Sequence, residues 1–293
     1  MSCYHPIEMF RSRAGRNPET GKWSLASNTV EGYGDLPVTV PCGRCIGCRL
    51  DRSRHWAVRC VHEAQQHEVN SFITLTFDDD HLDRRGSLNK IDFTHFVKRL
   101  RDRVGYDLIR YFHCGEYGSQ GLRPHHHAII FGYDFPDRVL WSRGQTPLYR
   151  SALLEQLWPY GFCTVGEVTF ESAAYVARYV LKKVTGDAAE EHYQGRVPEY
   201  VTMSRRPGIA NDWAYEYYDD VYPHDYVIIR NGIKCKPPRY YDNIYDIIDH
   251  KSMSKVKRER VKKARDSPEN TVDRLRVREV VQERKLEKLV RNL

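Results

Sequence analysis

Between residues 71 and 183 the apolar pattern switches repeatedly between a period of two and a period of 3.6, and this order constrains the fold more than any other feature of the chain. Ser71 to Phe77 (Ser-Phe-Ile-Thr-Leu-Thr-Phe) is β-branched and aromatic, which predicts a strand. Ile91 to Val104 carries Phe93, Phe96, Val97 and Leu100 at helical spacing. Asp107 to Cys114 reads as a strand, Gly115 to Arg123 as a turn and His125 to Phe131 as a second strand. Ser151 to Trp158 is a short helix stopped by Pro159 and Gly161, Phe162 to Phe170 a strand, and Glu171 to Lys183 an alanine-rich helix. The resulting order, β-α-β-β-α-β-α, is the split βαβ pattern of ferredoxin-like folds. The expected class is therefore α+β: an antiparallel sheet with helices on one face, preceded by a cysteine-rich knuckle and followed by a basic helical tail. Residues 1–50 read as turn-rich, and residues 185–250 as Tyr- and Pro-rich and irregular.

Composition narrows the function. The chain has 293 residues, enough for one sizeable domain or two small ones. Charged residues make up 29%, and no run of 18 apolar residues occurs, so no membrane is expected as a partner. The formal charge is +7, which makes polyanions natural ligands. That surplus is localised: residues 251–293 carry a net +8, leaving the first 250 residues at −1. The beginning, Met-Ser-Cys-Tyr-His-Pro, lacks the basic and apolar stretches of a secretory leader. Eight cysteines in such a chain suggest a reducing compartment, where clustered thiols bind metal more often than they pair.

Three clusters carry chemistry. In Arg123-Pro124-His125-His126-His127, residues two apart on a strand share a face, so His125 and His127 point one way and His126 the other. Glu116 lies just before the turn that leads to His125, so a hairpin would add a carboxylate to the two imidazoles and leave coordination positions open for a substrate oxygen. Alternatively, the histidines are solvated or hydrogen-bonded at a strand end. In the helix 171–183, Tyr175, Tyr179 and Lys182 share one face. They are either core aromatics with a snorkelling cation or phenol nucleophiles, which need activation because the ordinary phenol pKa is near ~10. Cys42-Gly43-Arg44-Cys45-Ile46-Gly47-Cys48 holds three thiolates, and Cys3 is the expected fourth ligand, with His5 and His55 as substitutes. Tetrahedral Zn²⁺ in a structural role is the simplest occupant, and an iron–sulfur cluster competes with it. Cys60, Cys114, Cys163 and Cys235 read as ordinary core thiols. Tyrosines between 193 and 245 are interleaved with Arg205, Arg206, Lys236 and Arg239, which suits single-stranded nucleic acid or an extended segment wrapping a core. The apolar stripe of the tail (Val277, Val280, Val281, Leu286, Leu289, Val290) marks a solvated helix or a partner contact.

Taken together, the Cys42–Cys48 knuckle, Phe72 to Phe77, Gly115-Glu116-Tyr117-Gly118, Arg123 to His127, Tyr175 to Lys183 and Ser204-Arg205-Arg206-Pro207-Gly208-Ile209 resemble the HUH endonucleases that start rolling-circle replication. The likeness is closest to the initiators of gokushovirus-type microviruses and spans roughly residues 3 to 210. Arg178 stands where many relatives carry Lys, and nothing beyond about residue 215 matches. The resemblance implies a knuckle over 1–50, an endonuclease domain over 51–215, an irregular Tyr- and Pro-rich extension over 216–250 and the basic tail over 251–293. It further implies Mg²⁺ or Mn²⁺ on Glu116, His125 and His127, attack by Tyr175 or Tyr179 assisted by Lys182, and DNA contacts from Arg123, Arg178, Lys183, Arg205 and Arg206. The implied reaction nicks and rejoins single-stranded DNA at a phage origin through a 5′-phosphotyrosine, in the cytoplasm of a bacterial host and alongside its polymerase and helicase. The rival readings are a zinc-dependent DNA-binding regulator without catalysis, a phosphohydrolase that acts through water, and a transposase or relaxase of the same superfamily.

Overall fold

The computed structural model describes residues 3–288 except 19, 20, 22, 107, 108, 119, 120, 145 and 185; the side chains of 178–182 and 231 also lie outside the described set. Contacts divide the chain into two compact units, residues 1–51 with 260–292, and residues 52–259. No helix among the described residues is long and apolar enough to cross a membrane.

The first unit begins with β1 (Ile7–Arg16), β2 (Trp23–Ala26) and β3 (Gly32–Val40), which form an antiparallel sheet in the order β2-β1-β3. This sheet replaces the expected run of turns. It escapes a hydrophobic pattern search because most of its side chains stay exposed on both faces. The unit also holds the N-terminal turns of α1 (Ile46–Gln65), which starts inside the cysteine cluster rather than after it.

The second unit is built on β4 (Asn70–Thr76), α2 (Lys90–Val104), β5 (Arg110–Tyr117), β6 (Pro124–Phe131), β7 (Val139–Ser142), β8 (Leu148–Arg150), α3 (Ala152–Leu157), β9 (Cys163–Gly166), α4 (Phe170–Lys182), α5 (Ala188–Tyr193) and β10 (Tyr200–Met203). Its seven strands run in the order β10-β5-β6-β4-β9-β8-β7, and every pairing is antiparallel. The central four, β5-β6-β4-β9, have the strand order of a split βαβ fold. The two crossover helices pack on one face: Phe93, Phe96, Val97 and Leu100 of α2 and Leu154 and Leu157 of α3 meet Ile73, Leu75, Ala128, Ile130 and Val165.

The sequence predicts helices on one face only, but both faces are covered. Ala57 and Cys60 of α1 and Ala173, Val176 and Ala177 of α4 pack on Phe112, Cys114, Ile129 and Phe131. The cause is visible in β6, where Ala128-Ile129-Ile130-Phe131 is apolar at both parities and so must be buried on both sides. A Thr169–Ser172 capping box starts α4, which is how its first turn is fixed over the sheet.

Residues 185–250, expected to be irregular, fold as well. Besides α5 and β10 they contain α6 (Asn211–Glu216), α7 (Tyr218–Val221), a two-stranded ribbon of β11 (Val227–Ile228) and β12 (Lys234–Cys235), and α8 (Arg239–Ile248). They enclose a small core around Ala214, Val221, Tyr222, Tyr241 and Ile244. The charged end of the chain forms α9 (His250–Arg265) and α10 (Val272–Glu287).

Candidate metal and tyrosine site

The β5–β6 register sets the site. Glu116 faces His125 across the pair, Cys114 faces His127, and on the other side of β6 Thr74 faces His127 and Thr76 faces His125. One ligand atom from each of Glu116, His125 and His127 lies within 4.8 Å of the other two. His125 Nε2 is 2.6 Å and His127 Nε2 3.2 Å from the same carboxylate oxygen, Glu116 Oε1.

The opposite nitrogens of the rings are tied down. His125 Nδ1 donates to the Arg123 carbonyl at 3.1 Å, an acceptor that settles which nitrogen carries the proton. His127 Nδ1 is hydrogen-bonded to the Thr74 hydroxyl at 2.9 Å. Both Nε2 atoms are thus aimed at one point, the arrangement by which outer partners orient metal-ligating imidazoles. Glu116 is 1% exposed. Burial pushes its carboxyl up, but hydrogen bonds from His125 and His127 and their charge outweigh it and bring it down to about 2. The donor set of two imidazoles and an ionised carboxylate suits a divalent cation.

His126 lies on the other face of β6, as alternation requires. Its Nδ1 meets His113 Nε2 at 3.1 Å, His113 Nδ1 meets the Thr202 hydroxyl at 2.8 Å, and Phe93 stacks on His113 at 3.5 Å. Burial pushes His126 down to about 3 and His113 well below the ordinary histidine range, so both stay neutral.

The helix α4 crosses the face that carries the ligands, touching β5 and β6. Tyr175 points toward the cluster: its ring centre is 5.0 Å from that of His127 at 89° and 6.4 Å from that of Phe72. Tyr179 and Lys182 follow on the same helix; their side chains, with that of Arg178, lie outside the described residues.

The proposed DNA contacts are not all alike. Arg123 donates through Nε and a terminal nitrogen to the Phe77 carbonyl and pairs with Asp79 at 2.7 Å, so it braces the loop before β6. Lys183 is exposed at the end of α4. Arg205 and Arg206 are exposed and line an open groove with Arg101, Tyr106, Arg110 and Tyr111. Arg110 is paired with Glu63. Arg101, Arg205 and Arg206 have no acidic partner among the described residues, so this groove is locally positive.

The sulfurs of Cys3, Cys42, Cys45 and Cys48 lie within 4.8 Å of one another, and none is in a disulfide. Cys3 and Cys45 Sγ are 4.0 Å apart. A tetrahedron of Zn–S bonds near 2.3 Å has an edge of ~3.8 Å, against ~2.05 Å for a disulfide, so the spacing fits zinc. Backbone N–H groups of Cys42, Cys45 and Tyr4 donate to the sulfurs of Cys3, Cys42 and Cys45. Burial opposes ionisation of Cys42, but the donors around it bring it down to about 7. Gly43 at φ +75° allows the tight turn between Cys42 and Cys45.

Two elements of the site have no signal in a linear reading. Thr74 reaches His127 only through the β4–β6 register, and the Arg123 carbonyl acts as a backbone group whose residue type says nothing.

No solved structure matches the chain. A family model for replication-associated proteins of the ORF2 type matches residues 70–184, the stretch from β4 to the end of α4 that carries Glu116, His125, His127 and Tyr175. The chain is 35% identical over 255 residues to the replication-associated protein VP4 of Bdellovibrio phage phiMH2K, covering 84% of this chain and 77% of the relative. It is 32% identical over 265 residues to the replication-associated protein ORF2 of Spiroplasma virus 4, covering 83% and 79%. The chain therefore belongs to the family of phage replication-associated proteins, of the microvirus type.

Proposed function

We propose that the chain nicks and rejoins single-stranded DNA at a phage origin, initiating rolling-circle replication through a 5′-phosphotyrosine intermediate. The observation that carries this reading is the approach of the Tyr175 ring to a cluster of two imidazoles and one carboxylate. Glu116, His125 and His127 would hold Mg²⁺ or Mn²⁺. When bound, such an ion polarises the scissile phosphate and offsets its charge. The family relationship supports a role in replication, and the positive groove at Arg101, Arg205 and Arg206 supports a DNA strand as partner.

The tyrosine chemistry follows from the residues. The Tyr175 oxygen attacks phosphorus, the tyrosyl O–P bond forms, and the P–O bond to the 3′ carbon breaks. The phenol proton ends on the released 3′-OH, which is the primer for a host polymerase. No water or nucleotide is consumed, so the linkage keeps its bond energy for rejoining. Tyr179, one helical turn on, is the second nucleophile that cuts the regenerated origin, with Lys182 as the nearby cation. The four cysteines hold structural Zn²⁺, because four protein ligands leave no open position for chemistry. The site of action is the cytoplasm of the bacterial host.

The test is incubation with an end-labelled single-stranded origin oligonucleotide and Mn²⁺. The expected product is a protein–DNA adduct that survives denaturation, is absent with EDTA, and is abolished in the Tyr175→Phe/Tyr179→Phe double variant. An adduct that forms equally in the double variant, or no adduct on any origin strand, overturns the reading.

A further inference from the structure

A pair of large aromatic side chains stands in the open beside the ligand cluster. Trp141 is 53% exposed and Phe162 40% exposed, and their ring centres are 5.0 Å apart at 57°. The Arg150 guanidinium lies over the Phe162 ring at 5.3 Å and is held there by Glu155 through bonds of 2.8 and 2.5 Å. Scattered surface hydrophobics need no explanation, but two packed rings at a fixed position do.

Their position is set by the sheet. Phe162 immediately precedes β9, and its carbonyl accepts both the backbone N–H of Thr76 at 3.0 Å and the Thr76 hydroxyl at 2.7 Å. Thr76 in turn faces His125 across β4 and β6. Cys163, the next residue, packs into the core under α2 and α3, so Phe162 points the other way, to the face of Thr74, Thr76, His125 and His127. Two strand spacings of ~4.8 Å separate β6 from β9, which puts the platform ~10 Å from the ligand cluster on the same face. Gly161, at φ +154°, makes this possible: a Cβ there would meet the Asp78 nitrogen at 2.5 Å, so only glycine brings the chain this close to the end of β4.

The chemistry of the platform selects the occupant. The Arg150 cation is tied to Glu155, so the recognition surface is ring face rather than charge. A ring face stacks on a nucleobase of any identity. We propose that Trp141 and Phe162 form a stacking platform for an unpaired base flanking the scissile phosphate, fixing the strand over the ligand cluster. This rests on the nuclease reading for the strand's position. With ~3.4 Å of rise per nucleotide in a stacked strand, ~10 Å places that base within about three nucleotides of the phosphate.

The experiment walks a single abasic nucleotide through three positions on each side of the scissile phosphate of the origin oligonucleotide. Binding is read by anisotropy and adduct formation on a denaturing gel, for the full-length wild type, Trp141→Ala and Trp141→Phe. Removing the stacked base from the wild type should weaken binding about 5- to 150-fold at one position. Trp141→Ala should bind the intact strand more weakly by a similar factor and be indifferent to the abasic nucleotide at that position, and Trp141→Phe should restore the dependence. The same abasic profile in wild type and Trp141→Ala, with adduct formed by both, overturns the platform and leaves the nuclease standing. A Trp141-dependent profile without any adduct supports the platform and overturns the nuclease. Failure of the wild type to bind any single strand overturns both and leaves the patch to a protein partner.

Discussion

Thr74→Val tests whether the site is organised for a cation. The substitution keeps the volume and β-branching of the side chain, so the pairings of Thr74 with His127 and Thr164 survive. It removes the hydroxyl 2.9 Å from His127 Nδ1. That nitrogen then loses a partner in a ring whose side chain is 8% exposed, at a cost of about 1–3 kcal/mol. The ring is also released to turn its two nitrogens about the Cβ–Cγ axis. Losing an outer partner of a ligating histidine weakens metal affinity about 10–100-fold, or ~1.4–2.8 kcal/mol, which agrees with the cost from the unsatisfied nitrogen. The measurement is calorimetric titration of Mn²⁺ into the wild type, Thr74→Val and Thr74→Ser, with adduct yield against Mn²⁺ concentration as a second readout. Thr74→Ser, which keeps the hydroxyl, should bind close to wild type. Equal Mn²⁺ affinity in the wild type and Thr74→Val would refute the claim that this hydrogen bond aims His127 at a cation.

Three further outcomes follow from other parts of the molecule. The purified chain should contain zinc in equimolar amount by atomic emission, and Cys45→Ser should release it and open residues 1–51 to limited proteolysis; iron in that position would instead give visible absorbance. His62 stacks on Trp213 at 3.6 Å and bonds the Tyr241 hydroxyl at 2.8 Å, and burial pushes it down to about 3 from an ordinary 6.5. Its folded pKa is the lower one, so the unfolded chain takes up the proton first: this contribution is complete above about pH 6.5 and is lost as pH falls toward 3. By pH 5 the loss is about 2 kcal/mol, so the drop in urea-unfolding free energy between pH 8 and pH 5 should shrink by about that much in His62→Gln. Finally, Arg205→Ala and Arg206→Ala should each reduce the slope of log affinity against log salt for single-stranded DNA by about one, with similar losses on unrelated sequences; unchanged slopes would remove the groove from the DNA path.

How much of this can be read along the chain depends on how far apart the cooperating residues are. Glu116, His125 and His127 fall within twelve positions and one hairpin, so alternation and a short turn are enough to place them on one face. Alternation also sends His126 to the far side, although its partner His113 and the Phe93 ring that covers the pair can be found only in three dimensions. Thr74 and Phe162 contribute through registers between strands separated by 53 and 86 residues, and no local pattern encodes such a register. The first sheet is hidden for a different reason: it buries little, so it leaves no period-two signal to detect. The helices between 185 and 250 are hidden because α5, α6 and α7 span only six, six and four residues and none has a side-chain cap, so neither periodicity nor start signal accumulates. Their small core comes from Val58, Tyr222, Tyr241 and Met253, side chains contributed by four separate stretches. The same logic applies to the nucleophile. The spacing of Tyr175 and Tyr179 marks a helix face, but a face has no direction until α4 is laid on β5 and β6. It is the apolar run of β6, demanding cover on both sides, that draws α4 onto the ligand face and brings a phenol to the imidazoles.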